Sequence, residues 1–296
     1  MMWMTWRQHR SAAAIGGAVV LAVVAALVVL GITARSNVDQ VGLASCLHNG
    51  SDCSASLTRL SRQYHWLPPA VASLFALPLL AGMFWGAPLI AREIETGTYR
   101  LVWTQSVSRV RWISTKLALI LATTATAILG VSLLAVWAFR PLIPVLGNRF
   151  RGGWFDVQGI IPAAYMLFAM ALGAFMGAIW RRTVPAMATT MAGFAAARIP
   201  VHTIRRNLLS PTEKTVSTFI DNKPSGIAPG DWILGQTSAG VSTSGPPTNG
   251  PPASVFRYIP AGRFWTLQAV EASIYLVITA VLITACITVV VRSRPH

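Results

Sequence analysis

Two ionisable residues of this 296-residue chain, Arg198 and Glu271, stand inside otherwise apolar stretches. An isolated charge in such surroundings is costly and is kept for pairing or for function. Arg198 lies about two helical turns from the end of one apolar run, and Glu271 about two turns into the next. The two are therefore expected to approach one another, within the chain or across a dimer. The competing expectation is that each side chain snorkels to the nearer surface. A second group is Glu93-x-Glu95-x-Gly97-Thr98-Tyr99-Arg100, continued by Gln105, Arg109 and Trp112. Carboxylates, guanidinium groups and large rings gathered over residues 91–116 suit a docking surface for a charged partner, or a solvated connector. Gly97 permits a sharp turn there. Cys46 and Cys53 are seven residues apart and can close a short loop as a disulfide if their compartment is oxidising. Cys286, inside an apolar run, reads as a small buried side chain. Catalytic apparatus is missing: the sequence has no G-x-x-x-x-G-K-[ST] phosphate loop, no H-E-x-x-H helix and no G-x-S-x-G elbow. The chain is thus expected to be no enzyme and to bind no cofactor or metal of its own.

The elements that must position these residues are long apolar helices. Hydrophobic residues make up 54% of the chain and charged residues 11%, against about 25% charged in ordinary soluble domains. A membrane-crossing helix needs about 20 apolar residues, because backbone polar groups must be satisfied inside the hydrocarbon. Residues 12–32, 69–90, 117–139, 160–180 and 264–291 meet that requirement, and residues 184–204 form a sixth run interrupted by Arg198. The expected fold is an all-α integral membrane protein of six spans. Residues 1–11, with Trp3, Trp6, Arg7 and Arg10, read as an amphipathic helix lying in the interface. The first run is too long for a signal-peptide core and is read as a retained span.

The formal charge of +15 is strung between the runs, as in loops that set membrane orientation, and no basic soluble domain exists to hold nucleic acid. Basic residues are densest in residues 1–11, 91–116, 181–183 and 292–296, which puts both termini in the cytoplasm. Residues 33–68, 140–159 and 205–263 then face outward. The last of these segments is expected to form a small cap around a flexible Gly/Pro/Ser/Thr-rich stretch, residues 235–253. Pro78 and Pro88 should kink the second span. Gly173-x-x-x-Gly177 and Gly16-Gly17 allow close helix approach, at a dimer seam or inside the bundle.

The segment Glu93-x-Glu95-x-Gly97-Thr98, then Thr104-Gln105-Ser106-Val107-Ser108-Arg109, Trp112 and Lys116, resembles the first cytoplasmic loop of type-2 ABC exporter permeases. Met4-Thr5-Trp6-Arg7-Gln8-His9-Arg10 and Arg263-Phe264-Trp265-Thr266-x-Gln268-x-x-Glu271 are similar to its actinobacterial branch. The resemblance implies a dimer of permeases, expected as a homodimer in the cytoplasmic membrane, in contact with membrane lipids. It also implies two copies of a cytoplasmic ABC ATPase that hold ATP and Mg. Residues 91–116 become the coupling elbow, with Glu93, Glu95, Gly97, Thr98, Tyr99, Arg100, Gln105, Arg109 and Trp112 as its docking residues. The implied activity is export of an amphipathic or lipid-like substrate such as a drug, natural product or lipid. A non-transporting immunity or sensor module docking the same ATPase is the alternative.

Overall fold

The computed structural model describes residues 2–43, 45–46, 53–74, 76–97, 108–150, 153–216, 219–220, 223–228, 230–238 and 254–292. Of the described residues, 79% are helical. Among the described residues, Gly16–Gln40, Leu67–Glu95, Val110–Val145, Ile161–Trp180 and Ala261–Arg292 are long and apolar enough to cross a membrane. The helix Thr183–Ile204 has spanning length but carries Arg198 and Pro200, and it is not among these five.

The first helix, α1 (Met2–Gln40), is continuous. No Gly or Pro separates the expected interfacial helix at 1–11 from the span at 12–32, and Ala12-Ala13-Ala14 propagates the helix. A disulfide between Cys46 and Cys53 then leads into α2 (Ser54–Gln63). This short helix is amphipathic, with Leu60 buried and Arg59 and Arg62 exposed.

The second crossing is built from pieces. These are α3 (Leu67–Leu74), α4 (Ala76–Ala81), a π-helix (Gly82–Gly86) and α5 (Pro88–Glu95). Pro88 occupies the first turn of α5, where its missing N–H sacrifices no bond. The wider turn before it closes through Ala87 N, which donates to Gly82 O over 2.8 Å, five residues back. The break expected from the prolines therefore takes the form of a π-turn.

Then come α6 (Arg109–Phe139), α7 (Ile143–Leu146), α8 (Trp154–Val157), α9 (Ile161–Trp180), α10 (Thr183–Ile204) and α11 (Phe264–Arg292). Helix α9 is the hub: 72% of its apolar stretch is buried, against 11% for that of α6. Glycines let it lie directly on the second crossing. A Cβ at Gly177 would stand 2.5 Å from Ala87 O, and one at Gly82 would stand 2.5 Å from Ala169 O. The Gly173-x-x-x-Gly177 pair is thus occupied by packing inside the bundle. Gly17 has nothing within 4 Å and faces outward from α1. Large apolar side chains such as Leu133, Val184 and Val277 remain exposed along the helices, as expected where the solvent is lipid.

The all-helical expectation needs one correction, between α10 and α11. Strands β1 (Thr212–Val216), β4 (Trp232–Ser238) and β5 (Ser254–Ile259) form an antiparallel sheet in the order β1-β5-β4. A small hairpin pairs β2 (Phe219–Ile220) with β3 (Lys223–Pro224). The stretch expected to be flexible from residue 235 is ordered at its start, because Gly235 to Ser238 pair with Arg257 to Ser254. The sheet rests on the helices through Phe150, which stacks on Trp232 at 5.6 Å and meets Phe264 edge-on at 5.5 Å.

Candidate functional site

At one end of the bundle, α8, α9, α10 and α11 converge on a buried charged cluster. Glu271 projects from α11 and is fully buried, and Arg198 projects from α10 at 3% exposure. Arg198 Nη1 lies 3.2 Å from Glu271 Oε1, and its Nη2 lies 2.9 Å from Asp156 Oδ1. The chain therefore brings together, within one protomer, the two residues that its sequence singles out.

Three further members were not anticipated. Arg205 follows α10 in a 3₁₀ turn (Arg205–Asn207). Its Nε donates to Glu271 Oε2 over 2.7 Å, and its Nη2 donates to Asp156 Oδ1 over 2.5 Å. Asp156 sits on the single turn of α8. The Tyr165 hydroxyl donates to Glu271 Oε1 over 2.5 Å and accepts from Arg205 Nη2 over 3.1 Å. Two guanidinium groups thus face two carboxylates, and the cluster is charge-balanced. Aromatic faces complete the enclosure, with Arg198 over the Tyr165 ring at 3.9 Å and Arg205 over the Phe155 ring at 4.4 Å. Burial alone would raise the Asp156 carboxyl, but Arg198 and Arg205 outweigh that and hold it below its usual value. Next to the cluster, Gln268 Oε1 accepts from Ile160 N over 3.0 Å while its Nε2 donates to Gln158 O over 2.8 Å. This amide fixes the loop that carries Asp156 onto α11.

Asp156 did leave a trace in the sequence, as the one carboxylate within residues 140–159, next to Trp154-Phe155. Arg205 is the first residue of the segment 205–263 expected to face outward, where a basic residue is ordinary. Nothing in the sequence distinguishes Tyr165 from other aromatic residues of a span.

The opposite ends of the helices carry the expected docking carboxylates. Glu93 lies on α5, where Lys116 of α6 donates to its Oε1 over 2.5 Å and to Leu89 O over 2.8 Å. Lys116 is 7% exposed. Glu95, the last residue of α5, accepts from Thr183 N over 3.1 Å and from Thr183 Oγ1 over 2.7 Å. It thereby caps the N-terminus of α10, where a carboxylate also complements the helix dipole. The sequence reading turned both carboxylates towards an ATPase. In the structure each has a partner within the chain, because α5, α6 and α10 meet at this end.

Gly97 has φ +71°, the left-handed turn expected of it. Ser108 caps α6 by accepting from Arg111 N over 3.3 Å, so Arg109 and Trp112 belong to the first turn of a long helix. Thr98, Tyr99, Arg100 and Gln105 fall outside the described residues. Cys46 and Cys53 are joined as a disulfide.

Residues 17–206 match a family model described as ABC-2 membrane transporter related. Neither a curated protein nor a solved structure matches the chain.

Proposed function

The chain belongs to the ABC-2 membrane transporter related family, and from that premise we propose that it is the six-span membrane subunit of an ATP-driven exporter. Membership makes it a multi-pass ABC transporter subunit whose partner is an ABC ATPase. The proposal adds direction, stoichiometry and cargo. Two copies of the chain, with termini in the cytoplasm, dock two ATPase subunits that hold ATP and Mg. This chain has no phosphate loop and contributes no catalysis. The cargo is amphipathic or lipid-like, because the helices offer apolar surfaces and few unpaired polar groups. Hydroxyls such as Thr123, Thr126 and Thr190 are bonded to backbone carbonyls of their own helices.

The observation that carries the reading is the junction at the inner end. Glu93–Lys116 ties α5 to α6, and Glu95–Thr183 ties α5 to α10. The segment between α5 and α6, residues 96–108, is therefore rooted in three helices at once. A displacement imposed on it by a closing ATPase pair is delivered to all three. The outer cluster closes the opposite end and must rearrange for cargo to leave.

Co-expression with its ATPase supplies the test. Inverted membrane vesicles should accumulate a lipophilic dye only with ATP. Replacing residues 98–107 by a Gly-Ser linker should abolish both accumulation and co-purification of the ATPase. An ATPase that stays bound, with transport intact, removes the coupling role. ATPase docking without any accumulation across a panel of amphiphiles favours a non-transporting module.

A further inference from the structure

The cleft between α1 and α2 stands apart from both charged sites. Its volume is about 490 Å³, in the range of small-molecule sites. Leu30, Ile32, Tyr64 and Trp66 give it apolar walls, and Thr33, Ser36, Asn37 and Gln63 give it polar ones. Gln63 also borders a second depression of about 570 Å³, lined by Thr58, Arg59 and Arg62. Apolar and polar walls beside a pair of guanidinium groups match the chain, glycerol and phosphate regions of a phospholipid.

The walls are fixed. Asn37 Nδ2 donates to the Tyr64 hydroxyl over 2.9 Å, Ser56 Oγ donates to Val41 O over 3.1 Å, and the Cys46–Cys53 disulfide ties the connecting segment. Leu60 and Tyr64 are buried beneath α2, which turns Arg59 and Arg62 outward. Charge favours an anion. Helix α2 contains no acidic residue, and neither arginine forms an ion pair with a described carboxylate. Asp39, the one acid of α1, is not in the walls. The depth also fits. Ile32 is 59% exposed at the end of the apolar run of α1, and Trp66 is 49% exposed at the start of the second crossing, the level of the membrane interface.

We propose that this cleft binds one anionic phospholipid of the outer leaflet, with its phosphate on Arg59 and Arg62 and an acyl chain along Leu30 and Ile32. The inference rests on the membrane-subunit reading for the bilayer and for the orientation that puts both termini in the cytoplasm. It requires neither transport nor an ATPase.

Native mass spectrometry of the purified full-length chain tests it, with phosphatidylglycerol and phosphatidylcholine as probes. One phosphatidylglycerol should be retained per chain in preference to phosphatidylcholine. The double variant Arg59→Gln/Arg62→Gln should weaken that retention by about tenfold. Arg257→Gln, which removes an exposed charge on the sheet between α10 and α11, should leave it unchanged. On the unaltered chain, raising salt before desalting should release phosphatidylglycerol, which keeps the test decisive if the double variant folds poorly. Equal retention of both lipids, indifference to salt, or an equal loss in Arg257→Gln overturns the proposal. So does a double variant that shifts from dimer to monomer while keeping its lipid, because the cleft then belongs to a second copy of the chain. A failed ATPase pull-down would leave these readouts untouched, so the two proposals can fail separately.

Discussion

Four charged side chains share one buried space, and their value lies in how they depend on each other. A buried ion pair is weak evidence for stability, but removing one partner strands the other and costs about 3–5 kcal/mol. Arg205→Met should therefore lower the melting temperature in detergent more than Glu213→Gln, whose pair with Arg257 is more than half exposed on both sides. Arg198→Ala and Glu271→Gln should lose transport non-additively in a double-mutant cycle, since each already disables the contact the other makes. Additive, mild losses would remove the pair from the gate. Asp156 gives the cluster a pH signature. Its carboxyl is held below the unfolded value, so its contribution is complete above the ordinary carboxylate range and is lost as pH falls through the lowered value. Stability should be flat from neutrality to about pH 5 and decline below about pH 4. Asp156→Asn should flatten that acid limb, and an unchanged limb would assign it to other carboxylates. The sequence made Arg198 and Glu271 legible because charge inside an apolar run is conspicuous. Asp156 and Arg205 stand in loops, where charge is ordinary, and only folding puts them in the interior.

At the scale of elements, helix runs were readable from apolar length, and helix boundaries were less so. The continuity of α1 through residue 11, and of α6 back to Arg109, reflects the absence of any breaker at the expected ends. The second crossing shows the converse. Pro88 announced a break, but a π-turn required knowing that α9 presses its glycines against Gly82 and Ala87. That packing predicts an asymmetry between two glycine sites. Gly177→Ala should destabilise by about 1–3 kcal/mol through overpacking, whereas Gly17→Ala should be neutral or slightly stabilising in a helix. Thermal unfolding of both variants in detergent reads the difference directly. Equal effects would mean that the crossing repacks freely. The cap was legible as an ordered remnant of a polar loop but not as a sheet. The pairing of Gly235 to Ser238 depends on a strand beyond residue 253, too remote for local pattern to reveal.

For the molecule as a whole, the charged residues divide between two ends, and one helix reaches both. Helix α10 begins at Thr183 under the Glu95 carboxylate and finishes at Arg198 and Arg205 inside the outer cluster. Between these anchors its 22 residues span about 33 Å at 1.5 Å per residue. Spin labels at Val184 and at Ile204, both exposed, should report motion of opposite sense relative to α9 when ATP is added. Glu95→Ala should uncouple the inner label while leaving the outer one in its resting position, and labels that move in the same direction would exclude this. A beam held by side-chain contacts at each end and resting midway on α9, where Phe194 stacks on Phe168, can neither slide nor stretch. What remains to it is to rock, so that pressing its inner end down lifts its outer end, as on a seesaw whose fulcrum is α9.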